Sequence, residues 1–133
     1  MMNNYIIYTD GAYSSSRNIG AIAFVILKEE KIVAEFSKPY KNTTNQRMEQ
    51  LAVILALKSI KSADSIQVYS DSAYVVNTYN KGWNRKCNLD LWKQLDEQLK
   101  RFNNVTFNHV KGHNNVKYNE RCDWFAREIS ESY

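Results

Sequence analysis

Two nearly identical hexapeptides hold the carboxylates best placed for chemistry, YTDGAY at residues 8–13 and YSDSAY at residues 69–74. Each follows a short apolar run of β-prone residues, YIIY ahead of Asp10 and IQVY ahead of Asp71. Each aspartate is therefore expected just past the end of a strand. If the two strands lie side by side and parallel, both carboxylates stand at the carboxyl end of a sheet, where open α/β sheets bind ligands. Like charges that close repel unless a proton or a cation lies between them. Hard oxygen donors suit magnesium or manganese, so the pair points to a divalent metal site. The plainer readings are a hairpin turn at Asp10-Gly11 and a helix N-cap at Asp71. The next apolar run begins only at Ile19, too far for a two-residue turn.

Further polar groups are candidates for such a site, each with a plainer reading beside it. Glu49 lies about one turn inside a helical stretch and is either a third ligand or a surface glutamate favoured by the helix dipole. Asp123 sits among Glu120, Arg121, Arg127 and Glu128, a pattern that by itself reads as a solvated face. His113, in VKGHNN, is a loop histidine beside a glycine. His109 and His113 form H-x-x-x-H, but Cys87 and Cys122 do not pair at zinc-ligand spacing, which argues against zinc. TTNQR at residues 43–47 offers hydroxyl, amide and guanidinium groups at a helix N-terminus, a ready place for phosphate or sugar edges. KGWNRK interleaves Lys81, Arg85 and Lys86 with Trp83, read either as phosphate contact with a stacking surface or as a solvated turn with a core tryptophan. There is no glycine-rich phosphate loop and no nucleophile elbow.

The elements that must position these groups alternate between two periods. Residues 5–9 read as a strand, GAYSSSRN as a loop, and IGAIAFVIL and IVAEFSKPY as a hairpin across the charged turn KEEK. Pro39 places the second hairpin strand at an edge or an end. Residues 43–61 read as a buried helix opened by a Thr43/Gln46 capping box. IQVYS is a fourth strand, SAYVVNTYN a short helix, and LDLWKQLDEQLKRF a helix with Leu91, Trp92, Leu95 and Leu99 on one face. VTFNHV is a fifth strand, KGHNNVKY a loop and NERCDWFAREISES the last helix. This order predicts an α/β fold: an antiparallel three-strand meander leading into two parallel strands through right-handed crossovers, flanked by helices.

The totals agree with one domain over residues 1–133. At 133 residues the chain can bury a core without a disulfide or metal staple, and 44 % apolar with 24 % charged residues is ordinary globular usage. Two cysteines are too few for a secreted disulfide framework, and no stretch has the length of a spanning helix or the form of a signal peptide. A cytoplasmic protein is expected. Its formal charge of +4 suits a phosphate-rich partner.

Taken in order, YTDGA, TTNQRMEQLAVILAL, YSDSAYV, VKGHNN and NERCDWFA resemble the motifs of type 1 ribonucleases H over almost the whole chain. The resemblance implies the ribonuclease H-like fold and hydrolysis of the RNA strand of RNA–DNA hybrids, leaving 5′-phosphate and 3′-hydroxyl ends. It implies that Asp10, Glu49, Asp71 and Asp123 hold two magnesium ions, with manganese as a possible substitute, and that these residues with His113 are catalytic. It further implies that Thr44 meets a DNA-strand phosphate and that Asn45 and Gln46 read the hybrid near its 2′-hydroxyls, with Ser72 also at the nucleic acid. The small residue after each aspartate is then read as leaving room for nucleic acid. No organic cofactor, no membrane and a monomer are expected. The chain departs from relatives in having GAYSSSRN in place of a glycine-rich loop, which leaves Asn18 only a candidate contact. It also has Ala73 where relatives often carry glutamine, and only NKGWNRKCN where some insert a basic helix. A catalytically idle nucleic-acid-binding module is disfavoured, because carboxylates near phosphates weaken binding. A phosphoacceptor domain could use Lys111 but lacks an acceptor aspartate after the third strand.

Overall fold

A computed structural model gives the fold for residues 2–110 and 117–132, without the side chains at 119, 122, 123, 125 and 130–132. Its strands are β1 (Asn4–Ser14), β2 (Ile19–Lys28), β3 (Lys31–Lys41), β4 (Ser65–Ser70) and β5 (Val105–His109). Its helices are α1 (Asn45–Lys58), α2 (Ala73–Asn80), α3 (Leu89–Leu99) and α4 (Lys117–Ser132). The sheet order is β3-β2-β1-β4-β5, antiparallel across β3-β2-β1 and parallel across β1-β4-β5. This is the expected meander followed by parallel crossovers. Among the described residues no helix is long and apolar enough to cross a membrane.

Burial explains why the long apolar run IGAIAFVIL is a strand and not a helix. Ile22, Phe24 and Ile26 of β2 face the main core beneath α1, whereas Ala21, Ala23, Val25 and Leu27 face α4. A strand covered on both sides loses the polar alternation of a half-exposed one. Small side chains on the second face let α4 approach, and its Ala126 is fully buried there. The β2–β3 turn holds Glu29 and Glu30 at φ 52° and 65°, the pair of left-handed residues that a tight hairpin turn requires. Pro39 lies within β3, on the sheet edge as anticipated.

Several boundaries differ from expectation. α1 ends at Lys58, short of residue 61, α3 ends at Leu99, short of residue 102, and α4 begins at Lys117, two residues early. The end of β1 and the cap of α1 differ for reasons local to each. β1 does not stop at Thr9 but stays paired with β2 from Tyr5↔Lys28 to Ser14↔Ile19, so only residues 15–18 form the connection. GAYS reads as loop because its residues are small and polar, but its partner β2 is long and apolar and carries it into the sheet. The cap of α1 is Thr44 and not Thr43: the Thr44 hydroxyl accepts from the Arg47 amide at 3.2 Å. The third helical residue is then Arg47, so no reciprocal capping box closes.

One buried group is at odds with its surroundings. Gln50 of α1 is fully buried, and neither its amide oxygen nor its amide nitrogen has a partner among the described residues. An unmet buried amide carries its full desolvation penalty. Gln50→Met keeps the side-chain length without the polar atoms and is expected to stabilise the fold by roughly 1–2 kcal/mol in urea unfolding. A lower unfolding midpoint for the variant would show that the amide is satisfied in solution.

Candidate active site

The repeated hexapeptide is explained by pairing. β1 and β4 run parallel in a register that sets Tyr8 opposite Tyr69 and Thr9 opposite Ser70. The two tyrosine rings stack at 5.0 Å between centroids, and Tyr118 of α4 lies against Tyr8 at 5.6 Å. Asp10 and Asp71 are the next residues on each chain, immediately beyond the last rung. Asp71 has left the sheet there, whereas Asp10 is still paired with Ala23 of β2. Asp10 shares its face of β1 with Tyr8 and Ala12, the face that α4 covers, and is 4 % exposed. Its Oδ1 accepts from the Gly11 amide at 2.9 Å.

Glu49 arrives from the opposite face, on α1, because α1 touches β1 backbone to backbone. A Cβ at Gly11 would lie 2.5 Å from the Glu49 amide nitrogen and 2.6 Å from the Met48 carbonyl carbon. Gly11 is thus small to admit α1, which corrects the expectation that the small residue there leaves room for nucleic acid. The half-buried Glu49 carboxyl is pushed up to about 7, first by burial and then by the charge of Asp71, against a hydrogen bond from Ser72 that favours its ionised form. Ser72 is 3 % exposed and is the N-cap of α2, its hydroxyl accepting from the Val75 amide at 3.2 Å. The cap at this turn is therefore Ser72 and not Asp71, which leaves the Asp71 carboxylate outside that role.

Thr44, Asn45 and Gln46 are all exposed at the start of α1. Asn18 is committed within the fold: its amide donates to Asn42 at 2.7 Å and accepts from the Tyr13 hydroxyl at 2.8 Å. Trp83 is 46 % exposed, so the core tryptophan of this region is Trp92, and KGWNRK is an exposed irregular stretch without the core tryptophan of the alternative reading. Arg85, itself exposed, is paired with Asp96 at 2.5 and 3.1 Å, leaving Lys81 and Lys86 as the uncommitted exposed cations of that stretch among the described residues. His109 has a role the sequence did not suggest. Its Nε2 meets the Asp71 carbonyl at 3.1 Å, fixing that backbone from the end of β5. The signal was its place opposite Ser70 on the neighbouring strand, one residue before Asp71. Cys87 is exposed beside Tyr74. Asp123 falls on α4, but its side chain, like His113 and Lys111, lies outside the described residues.

The donor set is chemically suited to a divalent cation. Three carboxylates approach one sheet end, and burial, with the charge of Asp71, holds the proton on one of them up to near neutrality. Among the described residues alone, no group of three such side chains is close enough to hold an ion.

Comparison with known proteins agrees with this geometry. The ribonuclease H family model matches residues 2–131. The chain is 43 % identical to a ribonuclease H of Syntrophus aciditrophicus, over 94 % of this chain and 79 % of that one. It is 40 % identical to one of Clostridium botulinum over 99 % of both. In structure it is similar to the ribonuclease H1 of the halophilic archaeon Halobacterium salinarum, with TM-score 0.81 and 26 % identity over 98 % of this chain and 99 % of that one. The N-terminal ribonuclease H domain of a Mycobacterium tuberculosis protein shares the fold, with TM-score 0.87, 19 % identity and coverage of 98 % and 95 %. The chain belongs to the ribonuclease H family, enzymes that hydrolyse the RNA strand of RNA–DNA hybrids. With only residues 81–88 between α2 and α3, a short type 1 form fits.

Two outcomes test the packing and charge of the site. Gly11→Ala is expected to lower stability by about 1–3 kcal/mol in urea unfolding, because backbone on both sides must separate. A neutral result would mean that α1 does not press on β1 as described. For Glu49, the folded-state value lies above the ordinary one of 4.5, so its stabilising contribution is complete below about 4.5 and is lost as pH rises through about 7. Glu49→Gln lacks that titration. In EDTA, the stability of the variant relative to the parent should therefore increase from pH 5 to pH 8, by on the order of 2 kcal/mol. A difference that stays constant with pH would refute the buried, repelled carboxyl.

Proposed function

We propose that this chain cleaves the RNA strand of hybrids with two magnesium ions held by Asp10, Glu49, Asp71 and Asp123, manganese serving in their place, and leaves 5′-phosphate and 3′-hydroxyl ends. The observation that carries the reading is the matched position of Asp10 and Asp71 just past the Thr9↔Ser70 rung, with Glu49 brought beside Asp71. Bound there, the cations supply an activated water and stabilise the departing 3′-oxygen. The rest is the work of the chain's own residues. The Gly11 amide orients the Asp10 carboxylate, His109 holds the backbone of Asp71, and Ser72 bonds Glu49. With its hydroxyl accepting from Val75 and donating to Glu49, Ser72 acts on the hybrid through that carboxylate.

The exposed start of α1 receives the substrate in this reading. Asn45 and Gln46 read the minor groove near the 2′-hydroxyls, the feature that distinguishes RNA from DNA. The Thr44 hydroxyl accepts from the Arg47 amide and retains its own proton for a DNA-strand phosphate. His113 assists proton movement or product release. The protein acts in the cytoplasm as a monomer and without an organic cofactor.

The test is cleavage of end-labelled RNA presented as hybrid, single strand or RNA duplex, in magnesium, manganese or EDTA. Metal-dependent cutting of the hybrid RNA alone is expected. Asp10→Asn and Asp71→Asn should each lose about 100-fold or more in rate while circular dichroism stays unchanged. Near-normal rates in either variant would overturn the site assignment.

A further inference from the structure

Residues 81–88 have no regular secondary structure, yet arginine forks hold the segment near its middle and at its far end. Near its middle, Arg85 donates to both oxygens of Asp96, which also accepts from the Tyr79 hydroxyl at 2.8 Å. The same guanidinium lies over the Tyr79 and Trp92 rings at 5.2 Å from each centroid. At the far end, Arg47 of α1 donates to Asp90 at 3.0 and 2.7 Å and to the Asn88 side-chain oxygen at 3.2 Å. Asn88 sits in the left-handed region at φ 56°, and its amide donates to the Tyr74 hydroxyl of α2 at 3.2 Å. One guanidinium therefore joins α1, the end of the 81–88 segment and the start of α3, and reaches α2 through Asn88.

Arg47 directly follows the exposed Thr44, Asn45 and Gln46, while the segment it grips exposes Lys81, Trp83 and Lys86. A bidentate arginine–carboxylate pair fixes orientation as well as distance, which a lysine could not do. We propose that Arg47, with Asp90 and Asn88, is a positioning residue for hybrid binding, fixing the N-terminus of α1 and the 81–88 segment as one preformed surface. Preformed geometry removes an ordering penalty that would otherwise weaken binding. The inference rests on the proposed hybrid substrate. The competing role for Arg47 is direct contact with a phosphate, in which case Asp90 only competes with substrate for the guanidinium.

The two roles predict opposite signs for Asp90→Asn. Removing a negative charge beside a polyanion should by electrostatics alone tighten binding. Loss of positioning should weaken it: KM for hybrid is expected to rise about three- to tenfold, with kcat at saturating hybrid within about twofold of the parent. Asp90→Glu should recover most of the loss. Glu97→Gln, an equal charge change on the exposed side of α3, should not raise KM. An unchanged or lower KM in Asp90→Asn, or a fall in kcat alone, would overturn the proposal. Fluorescence anisotropy of labelled hybrid in EDTA compares the same variants without turnover. A parent that binds hybrid without cutting it would sink the proposed reaction, while Asp90→Asn binding as tightly as the parent would sink the positioning role.

Discussion

Parallel pairing of β1 with β4, in the register that sets Tyr8 against Tyr69, is the constraint on which the site depends. Strand side chains alternate with a period of two, so a slip of one residue would send every side chain of β4 to the opposite face. Asp71 would then no longer stand level with Asp10. The register is held by stacked tyrosines, with Tyr118 of α4 closing over Tyr8, and by Ile7, Ile66 and Val68 locked into the main core on the other face. Hydrophobic packing thus enforces a juxtaposition of charges that electrostatics alone would oppose.

The same logic applies to Glu49. Its proton affinity is set by how closely α1 approaches β1, and that approach is set by the missing Cβ of Gly11. Gly20 repeats the device on β2, where a Cβ would come 2.5 Å from the Thr43 methyl and 2.7 Å from Met48 Cγ. Two glycines on adjacent strands therefore seat one end of one helix, and that end carries both the acidic group and the exposed Thr44–Gln46 turn. Backbone contact, not side-chain chemistry, brings Glu49 from the far face of the sheet into the neighbourhood of Asp71.

Much of this was legible in the sequence because it rests on local patterns. The period of two in the strands, the apolar run of α1 and the Leu91/Trp92/Leu95 face of α3 gave the elements and their order. The doubled hexapeptide gave the paired aspartates before any pairing was known. Missed features were those decided by a partner distant in sequence. β1 runs on to Ser14 only because β2 is there to pair with it, and Gly11 is required only because Glu49 lies 38 residues later against it. His109 looked like half of a zinc motif, and its contact with the Asp71 carbonyl exists only once β5 pairs with β4. The cap at Thr44 in place of Thr43 is a one-residue choice that two adjacent threonines leave open. Glu49 stood between a third ligand and a surface glutamate, Asp123 was an ordinary helix-surface acid by composition, and only the family's motif decided for both.

Charge is divided between frame and surface by residue type. Arg47, Arg85 and Arg121 form ion pairs with Asp90, Asp96 and Glu35, and Arg101 donates to the carbonyls of Leu57 and Ile60 at the end of α1. Arg47, Arg101 and Arg121 join elements remote in sequence and Arg85 joins the 81–88 segment to α3, work suited to a planar fork that can serve several acceptors at once. The Arg121–Glu35 pair ties α4, the helix of Asp123, to edge strand β3. With those arginines so committed, much of the field that draws in a polyanion falls to lysines, whose hydrated point charges act at longer range and are screened by salt. Orientation of the substrate must then come from a surface whose parts are already fixed relative to one another. A fold of this size can hold a modest net charge and still present an ordered face, because several of its arginines are tied to acceptors on neighbouring elements.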